Sequence, residues 1–176
     1  TAALALGKPV FAEKPLACSL DQAQRLCRAA DAAGIAAMVD FTFAAIPAFL
    51  EAAQILARGG IGPLRCAAVH WHVETRANRL RLQGWKTSPA EGGGTLGNFA
   101  SHVFHYLETF AGPIEGISAR LFGLPGDPQG SDCLVAASCR FAGGAGGSLS
   151  ISAGSFQGSG HHVELYGEEG SLILSN

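Results

Sequence analysis

The chain has 176 residues, of which 48% are hydrophobic, and its 12 basic and 14 acidic side chains give a net charge of −2. This length and hydrophobic content exclude a disordered chain and are enough for a sizeable core. Because the sequence has no basic cluster and no apolar run of about 20 residues, we expect neither nucleic acid nor a membrane to be a partner.

The five cysteines are odd in number and form no Cys-x-x-Cys pair, so neither a disulfide framework nor a metal site is indicated. We interpret them as reduced thiols that act as small core residues in a cytoplasmic protein. The opening residues, TAALALGKP, lack the basic lead and apolar core of a signal peptide. They have the character of a helix already under way, so we expect the chain to be a piece of a longer protein.

The first forty residues alternate helix and strand. Residues 10–12 are a short apolar run typical of a buried parallel strand, and a second strand is predicted over 35–43. Between them, SLDQ at 19–22 is a capping-box sequence that begins a helix. This alternation is typical of a doubly wound α/β domain, most of whose sheet is absent from the sequence.

Lys14 follows the first strand within Glu13-Lys14-Pro15. Pro15 disfavours the helical conformation for Lys14, so the lysine is expected in extended backbone at the carboxyl end of the strand. That edge of an open α/β sheet is where ligands bind. An ammonium group there can act as an electrophile or proton donor if burial or nearby positive charge lowers its pKa. The alternative is a solvated loop lysine.

Pro47 begins a further helix, and residues 64–73 are predicted as a strand. His70 and His72 alternate with Trp71, so the two imidazoles share one face of that strand. Two histidines on a strand could bind a metal ion, but no Asp, Glu or Cys cluster completes a ligand set. We therefore interpret them as half-buried polar neighbours and expect no metal.

A polar loop is predicted over 76–91, and a loop of this length is usually functional or mobile. It contains Trp85 and Lys86 and leads directly into three consecutive glycines. We therefore expect these two side chains to border the same cavity as His102, which lies on the helix after the glycines.

The segment GGGTLGNFASHVFHYLETF, residues 92–110, predicts an amphipathic helix that Thr95 caps and Gly112 ends. Its apolar side carries Leu96, Phe99, Val103, Leu107 and Phe110. Its polar side carries Asn98, His102, His105 and Thr109. Imidazoles can give or take a proton near neutral pH, so this side predicts proton transfer; the alternative is an ordinary surface helix. The glycines would let a backbone or a ligand come close.

After Gly112, five strands separated by Gly-rich turns predict an antiparallel meander with one face exposed to water. They cover residues 115–122, 132–141, 147–153, 161–166 and 171–175. The predicted fold class is therefore α+β: a short α/β remnant followed by a domain whose open, mainly antiparallel sheet packs on helices.

Four segments together resemble the Gfo/Idh/MocA family, the glucose–fructose oxidoreductase and inositol dehydrogenase type. GKPVFAEKPLA matches the family's strand ending in a Glu-Lys-Pro motif, and GGGTLGNFASHVFHYL matches its glycine-led helix. VDFTFAAIPAF and VELYGEEGSLILS match a strand-to-helix connection and the terminal hairpin. The resemblance implies that residues 1–43 are the C-terminal remnant of a Rossmann dinucleotide-binding domain. Residues 44–176 would then be a substrate-binding and oligomerisation domain, incomplete at its C-terminus.

The resemblance further implies a cofactor, NAD or NADP, whose main glycine-rich binding motif would lie upstream of the segment. It implies hydride transfer to or from a sugar, polyol or related small hydroxy compound, in a homo-oligomer formed through the antiparallel sheet.

The same resemblance assigns roles to individual residues. Lys14 would lie near the nicotinamide and the reacting oxygen, with Glu13 beside the cofactor, and His102 would exchange the hydroxyl proton. Asn98 completes the candidate catalytic set with Lys14 and His102. The candidate substrate contacts are Trp85, Lys86 and His105.

The chain departs from the family at three positions. Asn98 and His105 stand where the family commonly has Asp, and Asp40 stands where Gly is common. An amide can orient a substrate hydroxyl but cannot take a proton. The polar side of the helix is thus unusually basic, which is consistent with an acidic substrate, a rewired proton relay or lost catalysis.

Two alternatives to an oxidoreductase remain open at this point. The first is a catalytically inactive binding or assembly protein on the same fold, which the replacement by Asn98 motivates. The second is a metal-dependent hydrolase that would use the six histidines, His70, His72, His102, His105, His161 and His162.

Overall fold

The computed structural model describes residues 2–127 and 130–175. The helices are α1 (Ala2–Ala5), α2 (Leu20–Ala33), α3 (Pro47–Ala57), α4 (Arg76–Arg79) and α5 (Ser101–Ala111). The strands are β1 (Val10–Glu13), β2 (Ala37–Asp40), β3 (Leu64–His72), β4 (Ile114–Gly123), β5 (Asp132–Phe141), β6 (Gly146–Ser152), β7 (Gly160–Gly167) and β8 (Ser171–Ser175). Short turns of 3-10 or π helix lie at Thr42–Ala45, Trp85–Thr87, Pro89–Glu91 and Leu96–Ala100. The predicted α+β fold class is confirmed.

The N-terminal unit is a Rossmann-like β-α-β fragment. Strands β1 and β2 pair in parallel, with Glu13 opposite Asp40 at their carboxyl ends. Helix α2 connects them and begins at Ser19, whose side chain accepts a hydrogen bond from the amide of Gln22, as the capping sequence predicts. It ends at Gly34, which adopts the left-handed conformation with φ 62°.

The second strand is shorter than the sequence predicts. The prediction over 35–43 is wrong at its end, because β2 stops after four residues and a 3-10 turn follows. The aromatic side chains beyond β2 turn toward α5 instead. Phe41 stacks on the imidazole of His105 at a centroid distance of 4.3 Å, and Phe43 meets His102 edge-on at 5.2 Å. The chain after Asp40 thus packs its aromatic rings against α5 and does not continue the strand.

The larger sheet has the strand order β4-β5-β6-β3-β7-β8, so the predicted meander is wrong in its topology. Strand β3 lies between β6 and β7, parallel to β6 and antiparallel to β7. Its inward-facing Ala67 and Val69 are each 2% exposed. Because these side chains need cover from both sides, a central position for β3 buries more apolar surface than an edge position would.

The core lies between one face of this sheet and helices α3 and α5. Its largest fully buried side chains include Tyr106, Phe141, Leu107, Ile151, Leu165 and Val103. The opposite face of the sheet carries polar side chains at the alternate positions. His70 and His72 stack there with ring centroids 4.0 Å apart, so the expectation that they share a face is confirmed.

The cysteines are only partly where the sequence predicts them. Cys139 is buried and Cys133 half-buried, but the other three are exposed: Cys18, Cys27 and Cys66. Cys27 lies on the apolar stripe of α2, which lines an open groove beside β1 and β2 rather than a closed core. No disulfide links any of the five. None of the helices in the described part of the chain combines the length and apolar character needed to span a membrane.

Leu107 tests the core between α5 and the sheet, because its side chain is fully buried. We expect Leu107→Ala to lower the free energy of unfolding by about 2–5 kcal/mol, the usual cost of a buried leucine truncation. Leu50→Ala removes the same atoms from a side chain that is 48% exposed on α3 and serves as the control. Denaturant unfolding of the two variants measures the difference, and equal costs would contradict this description of the core.

Candidate active site

A cavity of about 390 Å³ lies between the end of β1 and the segment that leads into α5. Its polar lining comprises Lys14, Thr75, Arg76, Asn78, Lys86, Thr87, Thr95, Asn98, His102 and Asp132. Trp71 and Phe99 supply an aromatic wall. The volume suits a ligand of monosaccharide size, and the lining combines apolar surface with several convergent polar groups.

Lys14 joins the parallel sheet to the helix across the cavity. Its ammonium Nζ donates hydrogen bonds to the backbone oxygen of Asn98 at 2.6 Å and to the amide Oδ1 of Asn98 at 2.8 Å. Half-burial lowers the pKa of Lys14, and the neighbouring positive charge of Lys86 lowers it further, while Glu13 partly offsets both. The Lys14–Pro15 peptide bond is cis.

Asn98 can present its backbone oxygen because the segment before α5 is not a regular helix. Leu96–Ala100 forms a π turn, and α5 begins only at Ser101. A π turn holds one more residue than an α turn and changes which side chains face inward. The spacing of a regular α-helix, 100° per residue, therefore does not hold at Leu96. Its side chain is 38% exposed, although the sequence pattern predicts it on the buried side.

The predicted cap at Thr95 is wrong. The side chain of Thr95 makes no capping hydrogen bond, and its buried hydroxyl has no partner among the described residues. Asp132, the first residue of β5, takes over the role: its Oδ2 accepts a hydrogen bond from the amide of Leu96 at 2.7 Å. Burial raises the pKa of Asp132, and the backbone hydrogen bonds from Leu96 and Thr95 partly offset that rise.

The glycines before α5 admit protein atoms. A Cβ at Gly93 would overlap the carbonyl oxygen of Trp85, one at Gly94 the carboxylate of Asp132, and one at Gly97 the carbonyl oxygen of Gly92. GGGTLG has the spacing of a dinucleotide phosphate loop, but it follows a 3-10 turn and not a strand. The space that the missing side chains leave is filled by the chain itself.

His102 is buried, with 7% of its surface exposed. Burial is the main reason that its pKa falls to about 4; the positive charge of Lys14 adds to the fall, and the carboxylate of Asp40 partly offsets it. Its Nδ1 is buried without a partner in the described part of the chain. The imidazole is therefore neutral at physiological pH and can accept a proton, and Nε2 is the nitrogen left to meet a ligand.

His161 lies near His102, on strand β7 of the larger sheet. It stacks on Trp71 with ring centroids 4.1 Å apart, and its Nε2 lies 2.9 Å from the hydroxyl oxygen of Tyr106. Burial lowers the pKa of His161 to about 4, and the charges that His162 and His102 would carry lower it further. Two neutral imidazoles thus lie within one aromatic cluster, so neither adds positive charge near Lys14.

The structure brings four of the sequence-predicted residues to the cavity lining: Lys14, Lys86, Asn98 and His102. Three others do not line the cavity: Glu13, Trp85 and His105. Glu13 is exposed, and Trp85 is 41% exposed with its ring 5.6 Å from the ammonium Nζ of Lys86. His105 is occupied by its stack on Phe41.

Sequence reasoning missed the contribution of residues 75–78. The predicted polar loop contains α4, which begins at Thr75 and places Arg76 in the lining. Asn78 fixes this helix to the end of β6, because its Nδ2 donates to the carbonyl oxygen of Ala153 at 2.9 Å. The capping pattern Thr-x-x-Asn was the available signal, whereas the position of Asp132 depends on strand pairing and had none.

The histidines do not form the metal site of the hydrolase hypothesis. His70, His72 and His162 lie on the open face of the larger sheet, and the other three lie on its core side. Ser155 and Ser150 already engage both ring nitrogens of His72. Within residues 2–127 and 130–175, no three His, Cys, Asp or Glu side chains are grouped to hold a metal ion.

The titration of His102 tests this account of the cavity. We expect NMR to give a pKa of about 4 for its imidazole in the full-length protein. Lys14→Met should raise that pKa without restoring the ordinary value, because burial remains the larger cause. Lys8→Met, at the opposite end of β1, is the control and should leave it unchanged. A pKa of 6.5 or above in the unmodified protein would contradict the burial described.

Comparison with known proteins adds independent evidence. The model of the GFO/IDH/MocA C-terminal domain matches residues 49–173, and that of an oxidoreductase family with an NAD-binding Rossmann fold matches residues 1–41. An uncharacterized oxidoreductase of Synechocystis sp. is 32% identical over 185 residues, which cover 99% of this chain and 50% of that protein.

Two solved structures are similar over nearly the whole chain. An NAD binding oxidoreductase from Klebsiella pneumoniae has a TM-score of 0.86 at 31% identity, covering 99% of this chain and 49% of that one. A levoglucosan dehydrogenase in complex with NADH and levoglucosan has a TM-score of 0.90 at 26% identity, covering 99% and 49%. The chain spans about half the length of the relatives it matches. The chain belongs to the GFO/IDH/MocA family of oxidoreductases.

Proposed function

We propose that this chain is the substrate-binding part of an NAD(P)-dependent oxidoreductase that transfers hydride to or from a sugar, polyol or related small hydroxy compound. The supporting observation is the convergence of Lys14, Asn98 and His102 on one cavity of monosaccharide size. In this proposal, residues 1–43 belong to the dinucleotide-binding domain and residues 44–176 to the substrate domain. The protein is proposed to act in the cytoplasm.

The residues at the end of β1 fit the reacting end of a nicotinamide cofactor. In parallel α/β sheets the cofactor binds beyond the carboxyl ends of the strands, where Glu13 ends β1 and Lys14 follows it. The cavity beside Lys14 leaves room for a ligand next to its ammonium group. We propose Lys14 and Glu13 as cofactor contacts. When bound, NAD or NADP would supply the hydride acceptor or donor.

In the oxidation direction, neutral His102 accepts the proton of the substrate hydroxyl at Nε2. The Lys14 ammonium stabilises the negative charge that develops on the same oxygen as the proton leaves. Asn98 holds that ammonium with both its oxygens, and its side-chain Nδ2 can donate a hydrogen bond to a substrate hydroxyl. In the reduction direction, His102 returns the proton. Lys86 is a proposed substrate contact because it lines the same cavity.

Trp85 and His105 are also proposed as substrate contacts, at the edge of the site. Neither lines the cavity, but the Trp85 ring lies beside Lys86, and the imidazole of His105 is on α5 next to His102. A catalytically inactive binding protein is the second candidate function, favoured by the amide at Asn98. It gains support if the full-length protein binds a dinucleotide and never oxidises a sugar or polyol.

Lys14→Met tests the electrophilic role. It keeps a long side chain and removes the charge, so we expect kcat/KM of the full-length enzyme to fall by about 10²–10³-fold, the range seen on removal of one oxyanion-stabilising donor. The control is Lys8→Met, which should retain full activity. Turnover is followed by the absorbance of the reduced nicotinamide. An unchanged rate in Lys14→Met would refute the role.

His102→Gln tests proton transfer, because glutamine can hydrogen-bond and cannot accept a proton. We expect kcat for alcohol oxidation to fall by about 10²–10⁴-fold with little change in KM. In the unmodified enzyme the base must be deprotonated, so activity should persist below pH 6.5 and be lost as the pH falls through about 4. A change confined to KM, or an acidic limb near the ordinary histidine pKa, would count against His102 as the base.

We also propose that the open face of the larger sheet pairs with a second copy of the chain. Small side chains line a shallow depression on its central strands: Ala68, Ala136, Ser148 and Ser150. Side chains this small allow the sheets of two copies to approach closely. We expect Ser148→Arg to reduce the sedimentation coefficient of the full-length protein, while Gln54→Arg, on an exposed position of α3, leaves it unchanged. A monomeric unmodified protein would contradict the pairing.

A further inference from the structure

Most of the charged side chains that line the cavity are cationic. Three cationic side chains face it, Lys14, Arg76 and Lys86, against the single carboxylate of Asp132. The chain as a whole is slightly acidic, with a net charge of −2, so the excess of positive charge is a local property of this cavity.

Asp132 does not neutralise these cations. Its Oδ2 accepts the hydrogen bond from the Leu96 amide, and its other oxygen abuts Gly94, where a Cβ would overlap it. The carboxylate is thus used to hold the segment before α5 in place. Its negative charge is directed to backbone amides of that segment and is not paired with a lining cation.

The lining cations also lack carboxylate partners elsewhere. Four ion pairs occur in the described part of the chain, and each uses another cation: Arg25–Asp21, Arg65–Glu168, Arg79–Glu74 and Arg140–Glu115. The contrast is sharpest on α4, where Arg79 is paired with Glu74 at 3.9 Å and Arg76 is not. Lys14 is held by the neutral amide of Asn98, and the carboxylate of Glu13, which does not line the cavity, offsets its charge only in part.

Three cations that have no ion-pair partner among the described residues line one cavity, and they are expected to favour a ligand of opposite charge. Arg76 carries a planar guanidinium, which can donate two parallel hydrogen bonds to a carboxylate or a phosphate. The aromatic wall of Trp71 and Phe99 gives the remaining, less polar part of such a ligand a surface to pack on.

We propose that the substrate is a sugar that carries an anionic group, a carboxylate or a phosphate, which Arg76 and Lys86 bind. This inference rests on the proposed function and specifies its substrate class. Lys14, Asn98 and His102 then remain free to contact the reacting hydroxyl, so binding and chemistry use separate side chains of the same cavity.

The experiment compares matched sugars on the full-length enzyme with NAD and with NADP. Glucose, galactose and mannose are each assayed beside the corresponding uronate and 6-phosphate. We expect at least one anionic sugar to exceed its neutral parent in kcat/KM by tenfold or more. The uronate and phosphate arms identify which anion the cavity takes. Equal or better turnover of the neutral parents would overturn the proposal.

Arg76→Gln and Lys86→Gln locate the anion. Each should lower kcat/KM for the preferred anionic sugar by about 10- to 100-fold, as expected for loss of a charge-assisted hydrogen bond. The loss should be larger for the anionic sugar than for its neutral parent, which has no anionic group for these side chains to bind. Arg79→Gln, three residues along α4 and already ion-paired, is the matched control and should behave as the unmodified enzyme. Weaker binding of NAD or NADP with unchanged sugar selectivity would assign the cations to the cofactor and refute the inference.

A binding measurement separates failure of this inference from failure of the proposed function. Calorimetry with the same sugars needs no turnover. Binding of an anionic sugar that Arg76→Gln abolishes, without any turnover, would overturn the oxidoreductase function and support the anion site. Turnover of neutral sugars that neither substitution affects would support the oxidoreductase function and overturn the anion site. Absence of both binding and turnover would overturn both.

Discussion

The candidate active-site cavity depends on one interaction between parts of the chain that are 84 positions apart. The ammonium of Lys14 donates to both oxygens of Asn98, at 2.6 and 2.8 Å, and so connects the end of the parallel sheet to the π turn before α5. Without this connection, the Rossmann-like unit and the helix would each present an ordinary polar surface. With it, Lys14 and the neutral imidazole of His102 line the same cavity.

The side chain at position 98 also sets the electrostatics of that volume. A carboxylate there would form an ion pair with Lys14, raise its pKa and cancel its charge toward a ligand. The amide gives the same oxygen acceptor without the negative charge. Together with Lys14, the described lining of the cavity carries the cationic side chains of Arg76 and Lys86 against the one carboxylate of Asp132. Because His102 and His161 are neutral there, this positive charge comes from lysine and arginine alone.

Local features could be predicted from the sequence, and features that depend on distant contacts could not. The cap at Ser19, the left-handed Gly34 and the helix beginning at Pro47 all follow from a few adjacent residues. Lys14 and His102, which line the cavity, can be singled out from the sequence because their motifs are local. The insertion of β3 between β6 and β7 and the position of Asp132 depend on pairing between remote strands. The helix start predicted at Thr95 is wrong for the same reason: the side chain of Asp132, and not that of Thr95, accepts the hydrogen bond from the amide of Leu96.

The burial of His102 limits the stability of the fold in acid. His102 and His161 each have a pKa of about 4 in the folded chain, below the ordinary value of 6.5. Between these two values the unfolded chain binds more protons, so stability is full above pH 6.5 and is lost as the pH falls toward 4. A more exposed imidazole would remove this cost, but a larger fraction of it would be protonated near neutral pH. The aromatic cluster around His161 and His102 therefore keeps both imidazoles neutral near neutral pH and is also part of the core.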